Sequence, residues 1–180
     1  FDIGGGSTEV IWMRREPHGA SAIASAASAS VGVVTFSEQW GDQATDSAGY
    51  ARMREAMIAR FLPIRQAMET LAPFNFATHH LLGTSGTVTT LAGIALALSR
   101  YNRAKVDAHS HLCPAILSTA HRLRDAPPPR PAPSGCAACP PPHLIVPGCA
   151  IFSAIVELWP CTRLRVADRG LREGMLRELL

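Results

Sequence analysis

The sequence predicts an α/β fold on a mixed sheet, and three observations carry that prediction. Short apolar runs open the chain and are punctuated by glycine turns. Segments of helical and strand period then alternate along the rest of it. Hydrophobic content of 47% against 17% charge supplies enough apolar mass in 180 residues for one domain with a buried core.

Taken in order, Phe1–Ile3 and Val10–Met13 read as short strands joined by the turn Gly4-Gly5-Gly6. The stretch from His18 to Ser30 is rich in alanine and serine, lacks a clean period and reads as a connecting loop. Val31–Phe36 is valine-rich and reads as a third strand. From Asp46 to Leu71, Met53, Met57, Ile58, Phe61, Ile64, Met68 and Leu71 recur at helical spacing. Asp46 or Ser47 offers an N-cap there, and Pro63 is expected to kink or split the helix.

His79–Arg100 runs from a short apolar strand through a Gly/Ser/Thr turn into an apolar helix. Arg103–Arg122 reads as helical, interrupted near Pro114. Asp125–His143 holds eight prolines in 19 residues, so it reads as a linker or a disordered loop. Leu144–Trp159 then reads as a buried helix with Pro147 in its first turn, Leu164–Asp168 as a strand, and Arg169–Leu180 as a closing helix with Glu173 and Arg177 at i,i+4. No internal repeat is present.

Charge and cysteine content narrow the function classes. A net charge of +3 with scattered Lys and Arg gives no nucleic-acid stripe and favours at most small anionic substrates. No apolar run approaches the roughly 18 residues of a spanning helix, and no signal-peptide order opens the chain, so a cytoplasmic protein without membrane partners is expected. The five cysteines (113, 136, 139, 149 and 161) are odd in number and irregularly spaced, which argues for reduced thiols. Cys136-x-x-Cys139 alone would be half a zinc site, without a second pair.

Two turns share a composition that packing alone does not require: Asp2-Ile-Gly-Gly-Gly-Ser-Thr-Glu9 and Gly83-Thr-Ser-Gly-Thr-Val-Thr-Thr90. Glycines permit positive φ and leave backbone N–H groups open to an anion, and Ser and Thr hydroxyls add donors. The second turn leads directly into a helix, whose N-terminus favours phosphate. Neither turn matches GxxxxGK[ST] or a GxGxxG opening a helix, which argues against a P-loop or a dinucleotide fold. Asp2, at a strand end beside the glycines, suits Mg²⁺, and Glu9 could act as general base on an attacking water. The plainer alternatives are a hairpin turn, a turn-stabilising Asp2 and a solvated Glu9. His109 and His111, two apart on an expected helix, would point to different faces and read as surface or packing residues. Arg169 and Arg172 could contact phosphate or stand as exposed charges.

DIGGGSTE, GTSGTVTTLAGI and ADRGLREGML, in that order, resemble the Ppx/GppA phosphatase family of exopolyphosphatases and guanosine pentaphosphate phosphohydrolases. YNRAKVDAHSHL resembles the segment after the second turn in that family. The resemblance implies the second of two ribonuclease-H-like domains of the actin/Hsp70/sugar-kinase superfamily, with the active site in the cleft between the two. It implies that Asp2 helps hold Mg²⁺ and that Gly4, Gly5, Gly6 and Ser7 line one phosphate loop. Gly83, Thr84, Ser85, Gly86 and Thr87 would line the other, with Glu9 positioning or activating water.

The reaction implied is attack of water on a terminal phosphoryl group of inorganic polyphosphate or guanosine pentaphosphate, and a homodimer is a possible assembly. The family's first domain precedes the DIGGGST motif, so a chain opening at Phe1 is expected to be a fragment. A non-catalytic polyphosphate- or nucleotide-binding remnant is the alternative function. A kinase or chaperone ATPase of the same superfamily fits the motifs less well.

Overall fold

The computed structural model describes residues 1–16, 19, 21–41, 47–71, 74–75, 77–125 and 142–179. Six strands and seven helices occur among them. They are β1 (Asp2–Ile3), β2 (Thr8–Arg15), β3 (Ser21–Ala29), α1 (Val33–Trp40), α2 (Ser47–Glu69), β4 (Leu81–Gly83), α3 (Gly86–Ala95), α4 (Arg103–Val106), β5 (Ser110–Leu112), α5 (Cys113–Asp125), α6 (Pro142–Leu158), β6 (Arg163–Val166) and α7 (Leu171–Glu178). The Asp46 cap, Cys136, Cys139 and most of the proline-rich stretch lie outside the described residues.

β1, β2 and β3 form an antiparallel meander, while β4 and β6 run parallel with β5 antiparallel on the outer edge. A parallel bridge between Asp2 and Thr84, with the Thr84 N–H donating to the Phe1 carbonyl at 2.9 Å, stitches the two halves together. The strand order across the whole is β3-β2-β1-β4-β6-β5. The sheet is mixed, as the sequence implies.

Three elements correct the sequence reading. The Ala/Ser stretch contains strand β3 rather than a loop, paired with β2 from Thr8↔Ala29 to Arg15↔Ser21 with a bulge at Trp12/Met13. Its small side chains are alike on both faces, so no apolar–polar alternation marks it. The valine run from Val31 is a helix rather than a strand. Its buried Val33 and Phe36, with the half-buried Trp40, fall at i, i+3 and i+7, a helical spacing that β-branched propensity obscures. The segment after Tyr101 holds a short helix and strand β5 before α5, and Pro114 sits in the first turn of α5, where its missing N–H costs nothing.

Both long helices carry internal prolines. α2 continues through Pro63 without splitting, because Tyr50, Met53, Met57, Phe61 and Met68 are buried on both sides of it. α6 begins at Pro142, which puts Pro147 in its second turn rather than its first. α6 is the hub: Cys149, Ala150, Ile151, Phe152, Ala154 and Ile155 are all buried, and α1, α2, α3 and α5 pack against it. Fully burying each such Ile or Phe contributes about 1.5–3 kcal/mol. The Tyr50 and Ser153 hydroxyls meet at 2.8 Å inside this layer, so neither is left unpaired.

Cys113, Cys149 and Cys161 are buried free thiols, as expected. Burial pushes the Cys149 thiol up to about 12 and that of Cys113 up to about 11, which keeps both protonated and unreactive. Among the described residues, no helix is long and apolar enough to cross a membrane.

Candidate functional site

β1, β4 and β6 run in one direction, so the turns after them emerge at the same end of the sheet. Ligands of open α/β sheets bind outside those carboxyl ends. The two glycine turns are thereby neighbours, although about 80 residues separate them in sequence. The register makes the relation closer still. Thr84 pairs with Asp2, Asp2 with Glu9 and Glu9 with Ser28, so four side chains from four adjacent segments share one face.

Within that row Glu9 is held in place. The hydroxyls of Ser7 and Ser28 donate to its Oε1 at 2.6 and 2.9 Å, and Oε2 has no partner among the described residues. Ser7's hydroxyl is thus committed to Glu9, which leaves its backbone amide for a ligand. Asp2 is half-buried, and its carboxylate makes no hydrogen bond or ion pair among the described residues.

The first turn has a different cause from the one composition suggests. The Gly4 N–H donates to the Ser7 carbonyl at 2.9 Å, and none of its three glycines has a left-handed φ. What these glycines supply is close approach. A Cβ on Gly4 would lie 3.0 Å from the Ser7 carbonyl oxygen, and one on Gly5 3.4 Å from Val34 Cγ2, while Gly6 faces open space.

The Gly4 carbonyl accepts from Val33 N–H at 2.9 Å, and the Gly5 carbonyl accepts from Val34 N–H at 2.9 Å and Thr35 N–H at 3.3 Å. The N-terminus of α1 is therefore capped by the turn itself. With the carbonyls so engaged, the Gly5 and Gly6 N–H groups have no partner among the described residues. Gly32 permits this docking, since a Cβ there would come within 2.4 Å of the Gly4 oxygen. Sequence reasoning missed Gly32 and Ser28, because both lie in segments assigned to other structures.

The second turn is strained. Ser85 has φ 98° and ψ 163°, a region that residues with a Cβ occupy only at a cost of about 1–3 kcal/mol. It stands at the N-cap of α3, but its hydroxyl accepts no cap hydrogen bond from the first-turn N–H groups. The hydroxyls of Thr84 and Ser85 are buried and lack partners among the described residues. Unpaired buried hydroxyls beside a carboxylate are costly unless a ligand meets them. Gly83 is required by packing, since its Cβ would fall 2.6 Å from the Phe1 ring. Gly86 opens α3, and Thr87 is buried with its side chain against Gly148 of α6, so each can offer a ligand its backbone amide.

A metal at Asp2 is compatible with these residues. Among the described residues, no group of three or more His, Cys, Asp or Glu gathers as a dedicated metal cage. Mg²⁺ prefers one or two carboxylates completed by water and phosphate oxygens, which suits Asp2 beside Glu9 and the orphaned hydroxyls.

The third turn, after β6, is built from residues the motifs contained, of which the sequence reading weighed only Arg169 for the site. Tyr101 Oη donates to Asp168 Oδ2 at 2.5 Å, and Arg103 reaches the carboxylate of Asp168 at 3.3 Å as well as its backbone carbonyl. Asp107 accepts from the Asp168 N–H at 3.0 Å and pairs with Arg169 at 3.1 Å. The Gly170 N–H donates to Glu173 at 2.9 Å.

The Asp168 N–H holds the Asp107 carboxyl below its usual range, helped by Arg169 and partly opposed by burial. Burial, then the Asp168 carboxylate, pushes the Tyr101 phenol up to about 12. Arg169 is thus an ion-pair partner that pins the turn, and the side chain of Arg172 lies outside the described residues. His109 precedes β5 and His111 lies within it, rather than on a helix, and their ring centroids are 4.5 Å apart, so they share one side.

Comparison with known proteins places this arrangement. Solved structures with similar folds include the Aquifex aeolicus Ppx/GppA family member, at 21% identity and a TM-score of 0.75, covering 99% of this chain and 54% of that one. A crystallised exopolyphosphatase from Cytophaga hutchinsonii superposes at 19% identity and a TM-score of 0.78, covering 99% of this chain and 55% of that one. This chain spans about half the length of both. No curated protein matches it. The fold these structures share is the ribonuclease-H-like one. Residues 1–113 match the Ppx/GppA phosphatase family, which takes in both glycine turns and the segment that braces the third; the chain belongs to that family.

Proposed function

We propose that this chain forms one wall of a phosphoanhydride hydrolase site that releases terminal phosphate from inorganic polyphosphate or guanosine pentaphosphate. The observation that carries the proposal is the row Thr84–Asp2–Glu9–Ser28, which sets a partner-free carboxylate and an oriented one beside two donor-rich turns. The backbone amides of Gly5, Gly6 and Ser7, with those at the start of α3, would cradle the phosphoryl oxygens. The Thr84 and Ser85 hydroxyls would complete their hydrogen bonding on the same oxygens. Glu9, pinned through Oε1, would take the proton of an attacking water on Oε2 as the new P–O bond forms and the bridging P–O bond breaks toward the shortened leaving phosphate. Mg²⁺ held by Asp2 would supply charge neutralisation on the phosphates.

The test is phosphate release from polyphosphate and from guanosine pentaphosphate with Mg²⁺, comparing the wild-type protein with Glu9→Gln. A loss of about 10²–10⁴-fold with retained polyphosphate binding is expected. Equal rates in both proteins would remove Glu9 from the mechanism. Polyphosphate binding without release in the wild type would favour the binding-only alternative, which the same donor-rich turns could also serve.

A further inference from the structure

The face that carries Asp2 and Glu9 continues across the sheet. Leu82 pairs with Arg165, Ser110 with Arg165 and Leu112 with Arg163, and all five of these side chains are exposed. The partners of alternate residues, Leu164 and Val166, are fully buried on the opposite face. Toward the far end of this open face, from the residues before β4 and β6 along β6 to Arg165, lies a cleft of about 440 Å³. Its chemistry comes from Thr78, His80, Ser110, Thr162, Arg163 and Arg165.

No carboxylate lines this cleft, and neither arginine makes a hydrogen bond or ion pair among the described residues. Arg163 and Arg165 are two apart on one strand face, so their Cα atoms stand about 7 Å from each other. His79 also lines the cleft, and its Nδ1 accepts the Asn75 N–H at 2.7 Å. Two guanidinium groups without a partner among the described residues, histidine and three hydroxyls, gathered on one open depression, select for a compact polyvalent oxyanion. The cleft is set off from the glycine turns along the strands: three residues lie between His80 and Thr84, whose Cα atoms stand about 13 Å apart, and Arg165, the lining residue on that side, pairs with Leu82.

We propose that this cleft is a second anion site, taking a tetrahedral phosphoryl group as free phosphate or as the phosphomonoester of a small molecule. The site is independent of the hydrolase reading. It is tested by following backbone amide resonances of the whole chain, with EDTA present, during titration with inorganic phosphate and, in a second arm, glycerol phosphate. Saturable shifts are expected at Ser110 and Thr162–Arg165, weakening as ionic strength rises. Saturation by phosphate alone assigns the site to the free ion, and saturation by both assigns it to the phosphoryl group.

Arg165→Ala and Arg163→Ala should each weaken the response about tenfold or more. Both side chains are exposed, so spectra of the remaining residues should be unchanged. Glu9→Gln should leave the cleft response intact. Absence of saturation in the wild type, shifts unaltered in both arginine variants, or loss of the cleft response in Glu9→Gln would each overturn the proposal.

Discussion

Ser85 and Gly32 show how single positions shape the candidate site. Ser85 bears a Cβ in a backbone region that tolerates one poorly, and its hydroxyl has no partner among the described residues. Ser85→Gly should therefore raise stability to chemical denaturation by about 1–2 kcal/mol while weakening phosphate binding; a loss of stability would contradict the strain. Gly32→Ala should act oppositely. Its methyl would meet the Gly4 and Gly5 backbone, so a loss of about 1–3 kcal/mol is expected in the same measurement.

Asp2, Glu9 and both glycine turns stand out as candidates in the sequence because two such turns occur together in one small α/β chain and resemble the family's motifs. The sequence did not show which Glu9 oxygen is engaged or that Thr87 turns toward α6. Those facts depend on β3 and α6, whose positions no local spacing encodes.

At the scale of elements, strong local patterns were legible and templated ones were not. The long amphipathic α2, the apolar α6 and the turn into α3 follow from periodicity and glycine placement. β3 is a strand because β2 offers a ladder to its alanines and serines, and α1 is a helix because the glycine turn caps it. In both cases tertiary contact outweighs propensity.

The third turn rests on the same kind of distant support. Asp107 carries the Asp168 N–H and Arg169, so Asp107→Ala should cost about 1–2 kcal/mol and loosen the turn at α7. Amide exchange at Asp168–Gly170 reads this directly, and unchanged protection there would show that Asp107 is dispensable.

For the whole molecule, α6 supplies the hub and one sheet face carries the candidate site. The pH dependence of stability follows from where the histidines sit. Burial lowers the imidazoles of His111 and His121 below their ordinary value, aided by His109 and Arg124 respectively. The unfolded chain then binds more protons than the folded one as pH falls below about 6.5, so stability should drop through that window. Urea midpoints between pH 7.5 and 5.5 measure it, with His111→Gln expected to flatten the slope; a midpoint that holds or rises on acidification would contradict it.

If two turns distant in sequence make one phosphate site with Asp2, a single titration reads it: Mg²⁺-pyrophosphate added to the whole chain while the amides of Gly5, Gly6, Ser7, Gly86 and Thr87 are followed. All five are expected to shift with a single affinity that Asp2→Asn weakens. Shifts confined to one turn, or two distinct affinities indifferent to Asp2, would contradict a shared site.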